Sequence, residues 1–121
     1  MPEIDSELEL ALNYLDHNKD ESLKRLFDIL KIPSISTQEK YSKDCLNAAN
    51  WFVEQLQDIG FDASIRETNG HPMVVAHFEQ EGPHFLFYGH YDVQPIDPIE
   101  LWDHDPFEPK IEKSHNGEII K

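Results

Sequence analysis

The segment FLFYGHYDVQP, Phe85 to Pro95, carries an apolar run straight into His90, Tyr91 and Asp92. In extended backbone, residues i and i+2 point to the same side, so His90 and Asp92 would present an imidazole and a carboxylate together. That pair has a definite chemistry. If one ring nitrogen of His90 binds a metal ion, the Asp92 carboxylate can hold the other N–H, fixing the tautomer and raising the basicity of the ligand. A histidine paired with a neighbouring acid for purely structural reasons uses the same spacing, and that structural reading leads on the triplet alone. Its position favours chemistry, because functional groups in α/β sheets gather where strands end and loops begin.

No other residue set competes with this pair. His17 falls between helices, His71 in a turn, His77 and His84 on or beside strands, and His104 and His115 in loops, where surface or hydrogen-bonding roles are the expectation. Asp97, Glu100, Asp103, Asp105 and Glu108 could offer metal oxygens, but solvated loop charge is the expected role. The chain has no G-x-S-x-G elbow and no phosphate-binding glycine loop. Cys45 is the only cysteine, which excludes an internal disulfide and a thiolate-rich zinc cluster and suits a small buried residue in a reduced compartment.

The elements that must position the pair can be read from periodicity. Leu8, Leu12 and Leu15, behind capping-box spacing at Ser6 and Glu9, predict a helix over about 6–16. Asn18 and Glu21 repeat that capping pattern ahead of Leu23, Leu26, Phe27 and Leu30, predicting a second helix over about 20–32 that Pro33 stops. Cys45, Ala49, Phe52, Leu56 and Ile59 form one face of a third helix, about 42–59, with Gly60 as its C-terminal cap. The period then becomes extended, predicting strands at about 61–67, 73–79, 84–90 and 118–121. The proline-rich stretch from Val93 onward reads as an ordered loop carrying Trp102 and Phe107.

The chain has 121 residues, 39% of them hydrophobic, and is long enough for one modest core. Its net charge of -14 would repel phosphate backbones and anionic lipid, so nucleic acid and membrane surfaces are not expected partners. No apolar run approaches the roughly 20 residues that span a bilayer, and the amino terminus lacks a secretory pattern. The expected compartment is the cytoplasm.

The longer string GHYDVQP, with LWDHDPFEP at 101–109, closely resembles the M20 family of metallopeptidases, in particular its dipeptidase and carnosinase-like branch. LKIPSIST at 30–37 and AANWFVEQLQDIGF at 48–61 extend the resemblance from about residue 20 to Lys121. It implies an α/β fold: residues 1–121 would be the amino-terminal part of a zinc-aminopeptidase-like catalytic domain, helices packed on a mixed sheet, the domain incomplete. It implies two zinc ions that polarise the scissile carbonyl and activate water, with small peptides as substrates. The family's H-x-D histidine, a metal ligand, maps onto His90, and the aspartate that orients it maps onto Asp92.

The family pattern continues with a glycine-rich G-R-G-x-x-D segment, a general-base glutamate and further ligands, and none of these is in the sequence. A catalytic zinc usually takes three protein ligands and water. The expectation is therefore that the chain alone neither holds two zinc ions tightly nor hydrolyses peptides. Homodimerisation would run through a family domain that is not in this sequence. The alternative function is a non-catalytic acidic protein-interaction domain on the same scaffold.

Overall fold

The computed structural model describes residues 6–115 and 118–119. Three helices come first: α1 (Ser6–His17), α2 (Lys19–Leu30) and α3 (Ser42–Asp58). Strands β1 (Asp62–Arg66) and β2 (Met73–His77) follow, then a short pair, β3 (Ser114–His115) and β4 (Glu118–Ile119). Single 3-10 turns lie at Glu39–Tyr41 and Ile99–Leu101.

The expected capping role of Asn18 is not what forms there. Asn18 makes no side-chain cap bond to α2. Its amide instead donates back to the carbonyl of Tyr14 at 2.9 Å, and His17 Nδ1 lies 2.7 Å from the carbonyl of Asn13. Both side chains thus bond back to carbonyls in the last turns of α1, Tyr14 O also accepting the Asn18 backbone N–H at 3.0 Å, a local competition in which the preceding helix wins. Helix α2 stops at Leu30, two residues short of the expected end, because Pro33 disfavours helical geometry before it.

Helix α3 buries Cys45, Ala48 and Ala49, and its small side chains let the β1–β2 hairpin approach closely. Its end is a Schellman arrangement: Phe61 N–H donates to Leu56 O and Gly60 N–H to Gln57 O, each at 2.9 Å, with Gly60 at φ +97°. Ile59, expected on the buried stripe, sits at this cap and is 68% exposed. The reversal at Gly60 returns the chain along α3 as β1, where Gln57 Nε2 donates to Ala63 O at 2.9 Å. Strands β1 and β2 pair antiparallel, Asp62 opposite His77 and Arg66 opposite Met73.

The α/β class holds, but the sheet is smaller than the mixed sheet expected. Among the described residues both strand pairs are antiparallel, and the parallel element is one bridge, Ile35 to Val93. Residues 84–90, expected as a strand, form none. A strand is defined by hydrogen-bonded neighbours, and the described residues supply none to this stretch. Its apolar pattern suits a strand covered on both faces, yet Leu86 and Phe87 are 96% and 93% exposed. Of the expected strand at 118–121, Glu118 and Ile119 pair with β3, while Ile120 and Lys121 lie outside the described residues.

The fully buried apolar set is small: Ile35, Cys45, Ala48, Ala49 and Ala63. A compact chain of 14.1 kDa would expose about 6,700 Å², whereas this one exposes 10680 Å². Burial is concentrated where α3, the hairpin and the 33–37 segment meet. No helix among the described residues is long and apolar enough to cross a membrane.

Candidate metal site at His90 and Asp92

The site is built by two segments meeting on α3 and the hairpin. Ile35, 1% exposed, anchors residues 33–37 and bridges to Val93 in parallel. Val93 N–H donates to Ser34 O at 3.0 Å, and the buried Ser34 hydroxyl donates to Tyr91 O at 2.8 Å. Tyr91 is held from the other side: its hydroxyl donates to Pro72 O at 2.6 Å, and its ring lies 6.4 Å from that of Phe52 on α3. Burial, then the neighbouring Cys45 and Asp92, raise the Tyr91 pKa, so the phenol stays a neutral donor.

His90 and Asp92 lie side by side, with His90 Nδ1 2.9 Å from Asp92 Oδ1 and 3.1 Å from Asp92 O. The second carboxylate oxygen, Oδ2, accepts the Ser36 hydroxyl at 2.6 Å. The Ser36 bond, followed by the bond and charge of His90, holds the Asp92 carboxyl below its ordinary value against an opposing effect of partial burial. An ionised carboxylate only accepts hydrogen bonds, so Nδ1 of a neutral His90 must carry the proton and Nε2 keeps its lone pair. With the His90 side chain 73% exposed, that lone pair is accessible.

This donor chemistry fits one position of a zinc site: a neutral imidazole nitrogen whose partner N–H is fixed by a carboxylate. The described residues contain no group of three or more His, Cys, Asp or Glu side chains arranged to hold a metal ion. The acidic residues of the 97–108 loop do not converge on His90. Asp105 Oδ1 accepts the backbone N–H of Phe107 at 2.8 Å, while the Trp102 indole donates to Ile96 O at 2.9 Å, so the loop is ordered by its own turns. The His77 and His84 rings meet edge to face with centroids 5.5 Å apart, and His17 is committed to α1.

Three residues at this site escaped sequence reasoning: Ser34, Ser36 and His71. His71 Nε2 donates to Ser36 O at 2.7 Å, joining the turn after β1 to the 33–37 segment. The available signal was the alternation Ser34-Ile35-Ser36, a buried apolar residue flanked by two hydroxyls with the same two-residue spacing as His90 and Asp92.

No protein-family model matches the chain. Curated relatives do. The Cys-Gly metallodipeptidase DUG1 of Candida albicans is 28% identical, the match covering 83% of this chain and 24% of that enzyme. The DUG1 enzyme of Saccharomyces cerevisiae matches at the same identity and coverage. The succinyl-diaminopimelate desuccinylase of Bordetella avium is 35% identical over 68% of this chain and 20% of its own length. Among solved structures, the di-peptidase Dug1p of Saccharomyces cerevisiae superposes with a TM-score of 0.67 at 29% identity, covering 78% of this chain and 22% of that one. The chain thus spans a quarter or less of the length of the relatives it matches.

Proposed function

Because the chain belongs to the M20 metallopeptidase family, we propose that it forms one arm of the active site of a zinc-dependent peptidase acting on dipeptides or related amides. The observation that carries this reading is the 2.9 Å contact between His90 Nδ1 and Asp92 Oδ1, which leaves Nε2 as an exposed neutral donor. The printed activities of the relatives, a Cys-Gly metallodipeptidase and a desuccinylase, support the hydrolytic class.

In this reading His90 holds zinc through Nε2. Asp92 keeps the Nδ1 proton in place, so the ring neither flips nor changes tautomer when the cation arrives. Bound zinc would supply Lewis acidity toward the scissile carbonyl and a water acidic enough to ionise near neutral pH. Tyr91, tied to Pro72 and Ser34, holds the backbone between the two side chains. One imidazole falls short of the three protein ligands typical of catalytic zinc, so the chain by itself binds zinc weakly and does not turn over peptides. A cytoplasmic location, and a homodimer built through further sequence, complete the proposal.

The test is site-resolved, because the chain has seven histidines. Zinc is titrated into the ¹⁵N-labelled chain while ring nitrogens are followed by NMR, and a Cys-Gly hydrolysis assay runs in parallel. The expected result is a weak, fast-exchanging shift at His90 Nε2, absent in His90→Ala, with no hydrolysis. A His90 ring indifferent to zinc would overturn the ligand assignment and favour the non-catalytic acidic interaction domain. Two tightly held zinc ions, or turnover, would overturn the incompleteness.

A further inference from the structure

Ser36 contributes a short side-chain contact at the site, 2.6 Å from its hydroxyl oxygen to Asp92 Oδ2. Its backbone is pinned from two directions. His71 Nε2 donates to its carbonyl at 2.7 Å, and on the other side Ile35, buried at 1% exposure, bridges to Val93. Ser34, one step further, exchanges bonds with Tyr91 and Val93. The hydroxyl that meets Asp92 is therefore carried on a segment fixed at both ends, whereas the Asp92 side chain is 42% exposed and would otherwise be free to rotate into solvent. A carboxylate offers two equivalent oxygens. With Oδ2 committed to Ser36, only Oδ1 faces the imidazole.

We infer that Ser36 is a positioning residue: it locks the Asp92 carboxylate so that Oδ1 is committed to His90, thereby fixing the Nδ1–H tautomer and leaving Nε2 free for a cation. The role of Nε2 as a zinc donor rests on the function proposed above; the control of the tautomer does not. Ser36 touches neither substrate nor metal in this scheme and works through Asp92. The hydroxyl carries the effect, so threonine can replace it and alanine cannot. Losing an outer partner of a metal-bound histidine typically weakens metal binding 10- to 100-fold.

The experiment compares wild type, Ser36→Ala and Ser36→Thr in the ¹⁵N-labelled chain, first without metal and then with zinc. Ring ¹⁵N shifts give the fraction of His90 protonated at Nδ1. Ser36→Ala is expected to lower the Nδ1–H fraction, with the Asp92 carbonyl 3.1 Å from Nδ1 retaining part of the preference, and to weaken zinc at His90 by up to about tenfold, with Ser36→Thr close to wild type. An unchanged tautomer fraction in Ser36→Ala would overturn the inference, as would a Ser36→Thr variant as perturbed as the alanine. If the alanine variant fails to fold by circular dichroism, Ser36→Cys, a weak donor of similar size, takes its place. Its tautomer fraction must then differ from that of threonine, and equality overturns the inference. Failure of the zinc reading has a separate signature: His90 ignores zinc in every variant, while the metal-free tautomer still responds to Ser36→Ala, which upholds the inference.

Discussion

The thiol of Cys45 lies under the electrostatic influence of Asp92, although 47 positions of sequence separate them. Burial raises the Cys45 pKa, the Asp92 charge raises it further, and Asp44 adds to the same effect. A buried cysteine beside a carboxylate is a poor nucleophile, because the thiolate is the reactive form. Alkylation by iodoacetamide at neutral pH is expected to be slow in the native chain and fast in urea. Native labelling as fast as that of a free thiol would contradict the packing of α3.

The depressed pKa of Asp92 fixes the sign of its pH dependence. Because the folded-state value lies below the unfolded one, the carboxylate stabilises the fold above the ordinary carboxyl range, and that contribution disappears as pH falls through the lowered folded value. A ¹³C titration of the Asp92 carboxyl is expected to give a midpoint below about 3.9, rising in Ser36→Ala, since the Ser36 bond is the largest cause. The Asp92 side chain is 42% exposed, so the stability difference between wild type and Asp92→Asn in urea melts should be small and should vanish on the acid side.

Gly60→Ala probes the turn that sends the chain from α3 into β1. Gly60 has φ +97°, and a Cβ there would meet the Phe78 ring at 3.4 Å. An L side chain in such a conformation costs about 1–2 kcal/mol. The urea midpoint should fall accordingly with an unchanged m-value, whereas an unaltered midpoint would show that the Schellman turn is not a determinant of stability.

Leu86→Lys tests the exposed apolar stretch. Leu86 is 96% exposed, so its replacement should change stability by less than about 0.5 kcal/mol. Concentration-dependent light scattering should decrease, because Phe85, Leu86, Phe87 and Tyr88 together form the kind of bare hydrophobic segment that self-associates. Scattering unchanged by the substitution would clear this segment of that role.

How far the sequence could be read depends on how local each feature is. The three helices and the β1–β2 hairpin were legible because apolar spacing and the Gly60 cap act within a few residues, and their ends fell within one or two positions. The juxtaposition of His90 and Asp92 was legible for the same reason. Asn18 was misread because the end of one helix and the start of the next compete for the same side chain, and spacing does not say which prevails. The strand at 84–90 was read from a pattern that describes surroundings covering both faces, and the described residues do not provide them. Ser36 and His71 were invisible because their partners lie 56 and 35 positions away, across contacts that only tertiary structure creates.

The Ile35–Val93 bridge and the Ser36–Asp92 contact beside it join segments far apart in the chain. Bringing Ser36 to Asp92 closes a loop of about that 56-residue separation, and the length-dependent part of its closure entropy is about 4 kcal/mol. Helix α3 and the hairpin lie inside that loop and can form from near neighbours first, shortening the span left to be closed. The imidazole–carboxylate–hydroxyl chain should then be the last part to come together during folding and among the first to open by local fluctuation, well before the helix and hairpin that support it.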